Sequence, residues 1–96
     1  MMLSEVALGQ MALRYRADPT VKLKAPLLSV KGCGQHMPDP KGEYHEDHGC
    51  VIPMGKVIKA KLPEQSVLLY DEYMTYNVAQ SKMRYLLRVK FHYTGI

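Results

Sequence analysis

The clearest periodicity of the chain lies in its last third, where apolar side chains occupy every second position from residue 83 to residue 93. Successive side chains of a strand point to opposite faces of a sheet, so this alternation predicts a strand with one buried and one solvated face. Residues 67–70 and 73–76 are rich in aromatic and aliphatic side chains and predict strand immediately before it. The alternating apolar residues are Met83, Tyr85, Leu87, Val89, Phe91 and Tyr93.

Earlier segments show weaker patterns. Residues 2–8 alternate loosely and stop at Gly9, which favours a short strand entering a turn, with a helix as the alternative. Residues 14–24 are polar and predict a loop, and a strand is expected after Pro26. Between the two C-terminal strand regions, residues 77–82 lack alternation, and Asn77 is a suitable cap for one helical turn.

Residues 32–55 have almost no hydrophobic periodicity and contain three of the six prolines. A long surface loop with brief extended pieces is expected, and residues 51–53 are the best candidate for strand within it. Loops of this length in compact domains are usually functional or disordered.

Composition indicates a globular unit. With 96 residues, of which 47% are hydrophobic and 23% charged, the chain forms one domain at most and is too apolar for intrinsic disorder. We therefore expect a packed core in a single unit that is mainly antiparallel β with little helix.

The net charge of +4 does not indicate a nucleic-acid surface, because lysine and arginine are spread along the chain. Lys56, Lys59 and Lys61 alternate with apolar residues, as on the solvated face of an extended segment. No stretch approaches the ~20 apolar residues of a membrane-spanning helix. With no signal peptide in the sequence, Cys33 and Cys50 are expected to be reduced thiols of a soluble intracellular protein.

The loop also carries a pattern of metal-binding residue types, Cys33-x-x-His36 followed by His45-x-x-His48-x-Cys50. Zinc prefers nitrogen and sulfur ligands, but neither half has the C-x-x-C or H-x₃-H spacing of familiar zinc sites. We expect exposed loop residues and no metal site. A small zinc or nucleic-acid module is a weaker alternative.

Asp71 and Glu72 interrupt an otherwise apolar run from residue 67 to residue 76. Adjacent strand side chains face opposite sides, so at least one of these carboxylates is expected to point toward a covered face or a cleft. The alternative is a solvent-facing pair on an edge strand or at a turn.

The residues around Glu72 resemble a known family. Residues 68–91, LLYDEYMTYNVAQSKMRYLLRVKF, are similar to the segment that surrounds the catalytic glutamate of poly(ADP-ribose) polymerase catalytic domains. Two further matches precede it in the family's order: SEVALG at residues 4–9, and SVKGCG at residues 29–34 with Pro38-Asp39-Pro40 after it.

This resemblance implies that residues 1–96 are the C-terminal part of an ADP-ribosyltransferase fold, which is α+β and mainly antiparallel β. It implies NAD as a substrate, from which ADP-ribose passes to protein acceptors or to a growing polymer. By resemblance Glu72 is the catalytic glutamate, and Leu68 and Tyr70 lie on the acceptor side of the cleft. A nuclear location is implied by the family, and contact with DNA only through domains absent here.

The sequence also departs from the family. The His-Gly-Ser or His-Gly-Thr motif and the tyrosines that sandwich nicotinamide precede SEVALG in the family, and none of the four histidines here lies in such a motif. We therefore expect no NAD-gripping residues in this chain and no transferase activity from it alone. Two interpretations stay open: an incomplete chain of an active transferase, or a catalytically inactive remnant that acts at most as an interaction module.

Overall fold

The computed structural model describes residues 1–18 and 22–94, which form nine short strands and two single-turn 3₁₀ helices. The 3₁₀ helices are Pro40–Gly42 and Val78–Gln80. The strands are β1 (Met2–Val6), β2 (Gln10–Arg14), β3 (Leu27–Gly32), β4 (His36–Pro38), β5 (Glu43–His45), β6 (Val51–Pro53), β7 (Val57–Lys59), β8 (Glu72–Thr75) and β9 (Ser81–Leu86).

The strands pair into four small sheets. β1 pairs with β9, β4 with β7 and β5 with β6, all antiparallel. In the three-stranded sheet, β3 lies between parallel β2 and antiparallel β8. The predicted antiparallel character is confirmed, as are the strands at residues 51–53 and after Pro26. The helical part of an α+β fold stays a prediction for the complete domain, because the described residues contain no α-helix.

Strand β2 was not predicted. Its last residue, Arg14, had been assigned to the polar loop, and its pairing with β3 is a parallel contact between distant segments. Ala12 of β2 lies opposite Val30 of β3, and both side chains are buried. A short strand stabilised by such a pairing leaves little trace in local periodicity.

The expectation of a packed core is wrong. Among the described residues, the buried apolar side chains are those of Ala12, Val30 and Cys33. Ser29 and Ser66 are buried beside them, with exposures of 0% and 2%. Small side chains supply few apolar contacts, so much of the apolar content of the chain remains on its surface.

The predicted burial of the last strand is also wrong. β9 ends at Leu86 instead of continuing to residue 93, and the alternating apolar side chains of residues 83–93 are all exposed, from 43% at Leu87 to 89% at Tyr93. β9 pairs with β1, and the Leu87 N–H still donates to the Met1 carbonyl at 2.8 Å. Beyond that bond no described strand lies beside the chain, and no described element covers the apolar face of β9.

The predicted helical turn is confirmed. The Asn77 side chain accepts a hydrogen bond from the Ala79 N–H at 2.9 Å, and the Gln80 side chain accepts one from the Asn77 N–H at 3.2 Å. The Gln80 amide also donates to the carbonyls of Ala7 and Leu28. The turn therefore joins the β1–β9 ribbon to β3. Among the described residues, no helix is long and apolar enough to cross a membrane.

Candidate active site

The segment that leads into β8 is held by backbone hydrogen bonds against the chain that joins β3 to β4. The N–H groups of Gln35 and His36 donate to the carbonyls of Leu68 and Leu69, both at 2.9 Å. Ser66 supports this contact, because its buried hydroxyl donates to the Cys33 carbonyl and accepts from the Leu68 N–H at 3.0 Å. Residues 66–71 therefore have a defined position before β8 begins.

Two glycines of the SVKGCG segment permit this close approach. A Cβ atom on Gly34 would overlap the backbone of Tyr70 and Asp71, which leaves no room for a side chain. A Cβ atom on Gly32 would lie 2.7 Å from Cδ1 of Leu68 and 3.6 Å from Cβ of Glu72. Gly34 is therefore a steric requirement of this contact, whereas a side chain at Gly32 would first displace the flexible end of Leu68.

Asp71 and Glu72 face opposite sides of the sheet, as expected from strand geometry. The Asp71 carboxylate accepts a hydrogen bond from the Gly34 N–H at 2.8 Å and lies 3.7 Å from Nζ of Lys31. Its side chain is 11% exposed. The prediction that one carboxylate of the pair points to a covered side is confirmed, and that carboxylate is Asp71, which has a structural role.

Glu72 lies opposite Gly32 in the β3–β8 ladder and is exposed. Its carboxylate makes no hydrogen bond or ion pair with any residue in the described part of the chain. Leu68 and Glu72 open onto one cavity of about 380 Å³. The cavity is lined by Arg14, Arg16, Ala17, Asp18, Val30, Gly32, Leu68, Glu72 and Met74.

Tyr70 lies on a different cavity. This second cavity, of about 360 Å³, also contacts Lys31, His36, Asp71 and Tyr73. Tyr70 is 60% exposed. The structure therefore brings Leu68 and Glu72 together and places Tyr70 apart from them.

The cysteine and histidine pattern of the loop is not assembled as a unit. Cys33 is buried, and its thiol donates to the Lys31 carbonyl at 3.9 Å. The His36 ring lies 6.0 Å from that of Tyr70, and its buried Nδ1 has no hydrogen-bond partner among the described residues. His45 pairs with Glu43 at 3.3 Å.

The remaining two residues of that pattern, His48 and Cys50, do come together. They lie at the turn that follows β5, and Glu5 of β1 joins them. Partial desolvation raises the pKa of the Cys50 thiol, the carboxylates of Glu5 and Glu46 raise it further, and Arg84 lowers it. A thiol with a raised pKa is a poor nucleophile at neutral pH, so Cys50 is not a candidate for covalent catalysis.

Sequence reasoning missed three cationic neighbours of the site. Arg14 and Arg16 line the cavity of Glu72, and Lys31 stands beside Asp71 on the other face. Lys31 lies within the SVKGCG segment, which offered a local signal. No local sequence signal indicated Arg14 or Arg16. They reach the cavity because β2 pairs with β3, a contact between distant segments.

The chain is similar to one protein family and to several known proteins. The family model of the poly(ADP-ribose) polymerase catalytic domain matches residues 1–91. Poly [ADP-ribose] polymerase 1 of Xenopus laevis is 43% identical over 94 residues, which cover 98% of this chain and 9% of that protein. Poly [ADP-ribose] polymerase 2 of Arabidopsis thaliana is 42% identical over 94 residues, or 97% of this chain and 15% of that protein. The chain thus spans a small fraction of the length of these relatives.

Proposed function

Because the chain belongs to the poly(ADP-ribose) polymerase catalytic-domain family, we propose that it supplies the catalytic glutamate and part of the acceptor side of an NAD⁺ ADP-ribosyltransferase. The reaction proposed is transfer of ADP-ribose from NAD to protein acceptors or to a growing polymer. The observation that carries the proposal is the Glu72 carboxylate, which opens onto a cavity and is free of partners among the described residues.

The chemistry of the reaction favours a carboxylate in this state. Cleavage of the bond between nicotinamide and ribose develops positive charge on the ribose ring, and a nearby anion stabilises that charge, as in glycosidases. A carboxylate already neutralised by a protein cation would stabilise the positive charge on the ribose ring less well. In the proposed mechanism Glu72 accepts a hydrogen bond from a ribose hydroxyl and orients the attacking acceptor hydroxyl.

Leu68 and Tyr70, the two residues that we propose for the acceptor side, line different cavities. Leu68 shares the cavity of Glu72, so an acceptor hydroxyl that approaches Glu72 would contact the Leu68 side chain. Tyr70 opens onto the other cavity with Lys31 and His36, and we propose that it contacts a more distant part of the acceptor. Arg14 and Arg16 provide positive charge near Glu72 that suits the phosphates of an ADP-ribose acceptor.

NAD is a substrate in this proposal and not a resident cofactor. None of the residues assigned here grips nicotinamide, and we propose that the groups that do so lie in another segment of the complete catalytic domain. A nuclear location and any contact with DNA are proposals that rest on the family alone.

The test uses a chimeric domain, in which this chain replaces the matching 94-residue segment of the Xenopus laevis relative. The chimeric domain is expected to elongate polymer from labelled NAD. Glu72→Gln should reduce elongation by about 100-fold or more, the size of loss found when one transition-state contact is removed. Glu64→Gln is the matched control, because Glu64 is an exposed carboxylate outside the cavity of Glu72.

The outcomes separate the two interpretations of the chain. An inactive chimeric domain, correctly folded by circular dichroism, would favour the inactive remnant. Equal elongation by the Glu72→Gln and Glu64→Gln variants would refute the role of Glu72. The 96-residue chain by itself is expected to turn over no NAD, and turnover abolished by Glu72→Gln would contradict that expectation.

A further inference from the structure

Three side chains with different metal-binding atoms meet where the turn at residues 46–50 lies against β1. Ligand atoms of Glu5, His48 and Cys50 all lie within 4.8 Å of one another. Glu5 comes from β1 and the other two from the turn, so the cluster requires the folded chain. A carboxylate oxygen, an imidazole nitrogen and a thiolate sulfur are the donor types that zinc accepts.

Neighbouring charged groups orient two of these three side chains. Nε2 of His48 lies 3.7 Å from Oε1 of Glu5, and Nδ1 of His48 lies 3.2 Å from Oε2 of Glu46. Oε2 of Glu5 lies 3.7 Å from Nη1 of Arg84. In zinc sites the ligating histidine usually donates its second N–H to a carboxylate, and a ligating carboxylate is itself held by a neighbour. Glu46 and Arg84 occupy those two supporting positions.

We propose that Glu5, His48 and Cys50 form a binding site for one Zn²⁺ ion, with water as the fourth ligand. Metal–ligand bonds of about 2.0–2.3 Å place tetrahedral ligand atoms roughly 3.3–3.6 Å apart. Separations of up to 4.8 Å must therefore shorten by at most about 1.5 Å, a shift within the reach of side-chain rotation.

The surroundings of the cluster allow such a shift. The side chains of Glu5 and His48 are 33% and 49% exposed, so neither is locked in a packed core. Glu5 and Cys50 also border a cavity of about 170 Å³, through which an ion can enter. The bound ion joins β1 to the turn at residues 46–50 and so fixes the end of the long loop.

Local charge also favours a cation. Glu5 and Glu46 contribute two negative charges near the cluster, and Arg84 contributes one positive charge. A divalent ion relieves the repulsion between the two carboxylates and replaces the proton of the Cys50 thiol. The site does not involve Glu72, and its test does not depend on transferase activity.

The test titrates the reduced chimeric domain with Co²⁺, a spectroscopic substitute for Zn²⁺, and follows the thiolate-to-cobalt charge-transfer absorption, because the cluster requires the folded chain. One Co²⁺ per chain is expected, and added Zn²⁺ should displace it. Cys50→Ser, His48→Gln and Glu5→Gln should each weaken binding by at least about 10–100-fold, the range already seen for loss of outer-shell groups. Cys33→Ser and His45→Gln are matched controls and should bind as the parent chain does.

Glu5 distinguishes a folded site from chelation by a short peptide, since it is remote in sequence from the two loop ligands. A synthetic peptide of residues 43–53 should bind Co²⁺ more weakly than the chimeric domain. Its loss of Co²⁺ affinity should equal the loss caused by Glu5→Gln. The proposal is overturned if the peptide or the Glu5→Gln variant binds as tightly as the chimeric domain. It is also overturned if no such absorption develops, or if Cys33→Ser removes the absorption while the circular dichroism spectrum is unchanged.

Discussion

Asp71 and Glu72 are adjacent carboxylates with opposite environments. Asp71 is 11% exposed and is held by the Gly34 N–H and the Lys31 ammonium. Glu72 is exposed, and its carboxylate has no partner among the described residues. The alternation of strand side chains thus assigns one carboxylate to structure and leaves the other available to a substrate.

Substitution of Asp71 tests the structural role. Asp71→Ala leaves the Gly34 N–H without its partner and should lower the free energy of unfolding of the chimeric domain by about 1–3 kcal/mol. Asp71→Asn keeps an acceptor oxygen and should cost less. Urea denaturation measures both, with Asp47→Ala in the exposed turn as the control. Equal stability of Asp71→Ala and Asp47→Ala would contradict the role given to Asp71.

At the scale of elements, the site depends on contact between the end of β3 and the segment before β8. Gly34 lies against the backbone of Tyr70 and Asp71, whereas Gly32 lies against the flexible end of the Leu68 side chain. Neither glycine has a positive φ, so the requirement at both positions is space and not backbone conformation.

This difference predicts unequal effects of two matched substitutions in the chimeric domain. Gly34→Ala must separate two backbone segments and should lower the free energy of unfolding by about 1–3 kcal/mol or more. Gly32→Ala should cost less, because Leu68 can rotate away, but it should weaken acceptor binding through the displaced Leu68. Denaturation and the acceptor KM measure the two effects. A Gly32→Ala variant less stable than Gly34→Ala would contradict the packing described.

At the scale of the whole molecule, the solvent-accessible surface is larger than that expected for a compact protein of the same mass. The chain exposes 8503 Å², whereas a compact monomer of 10.9 kDa exposes about 5,600 Å². The radius of gyration is 15.4 Å, compared with about 12.5 Å expected for a compact domain of 96 residues. The excess of about 2,900 Å² exceeds what one partner buries in most stable interfaces. The apolar face of β9 is part of this excess.

The isolated chain is therefore expected to self-associate and to bind an apolar dye such as ANS, because exposed apolar faces and strand edges seek partners. We expect the remainder of the chimeric domain to cover these faces, so the chimeric domain should be monomeric and bind little dye. Sedimentation velocity and dye fluorescence measure both properties. A monomeric isolated chain with cooperative unfolding and no dye binding would contradict this expectation.

The sequence by itself determined the family, the mainly antiparallel β character and some local elements, among them the strands at residues 51–53 and after Pro26 and the turn capped by Asn77. SEVALG, SVKGCG and the segment around Glu72 are contiguous motifs, and strand alternation and the Asn77 cap act over a few residues. Only the tertiary structure decided which side chains share a space. It placed Leu68 with Glu72 and Tyr70 elsewhere, brought Glu5 to His48 and Cys50, and left β9 uncovered. These outcomes depend on pairing between distant segments, which local periodicity does not encode.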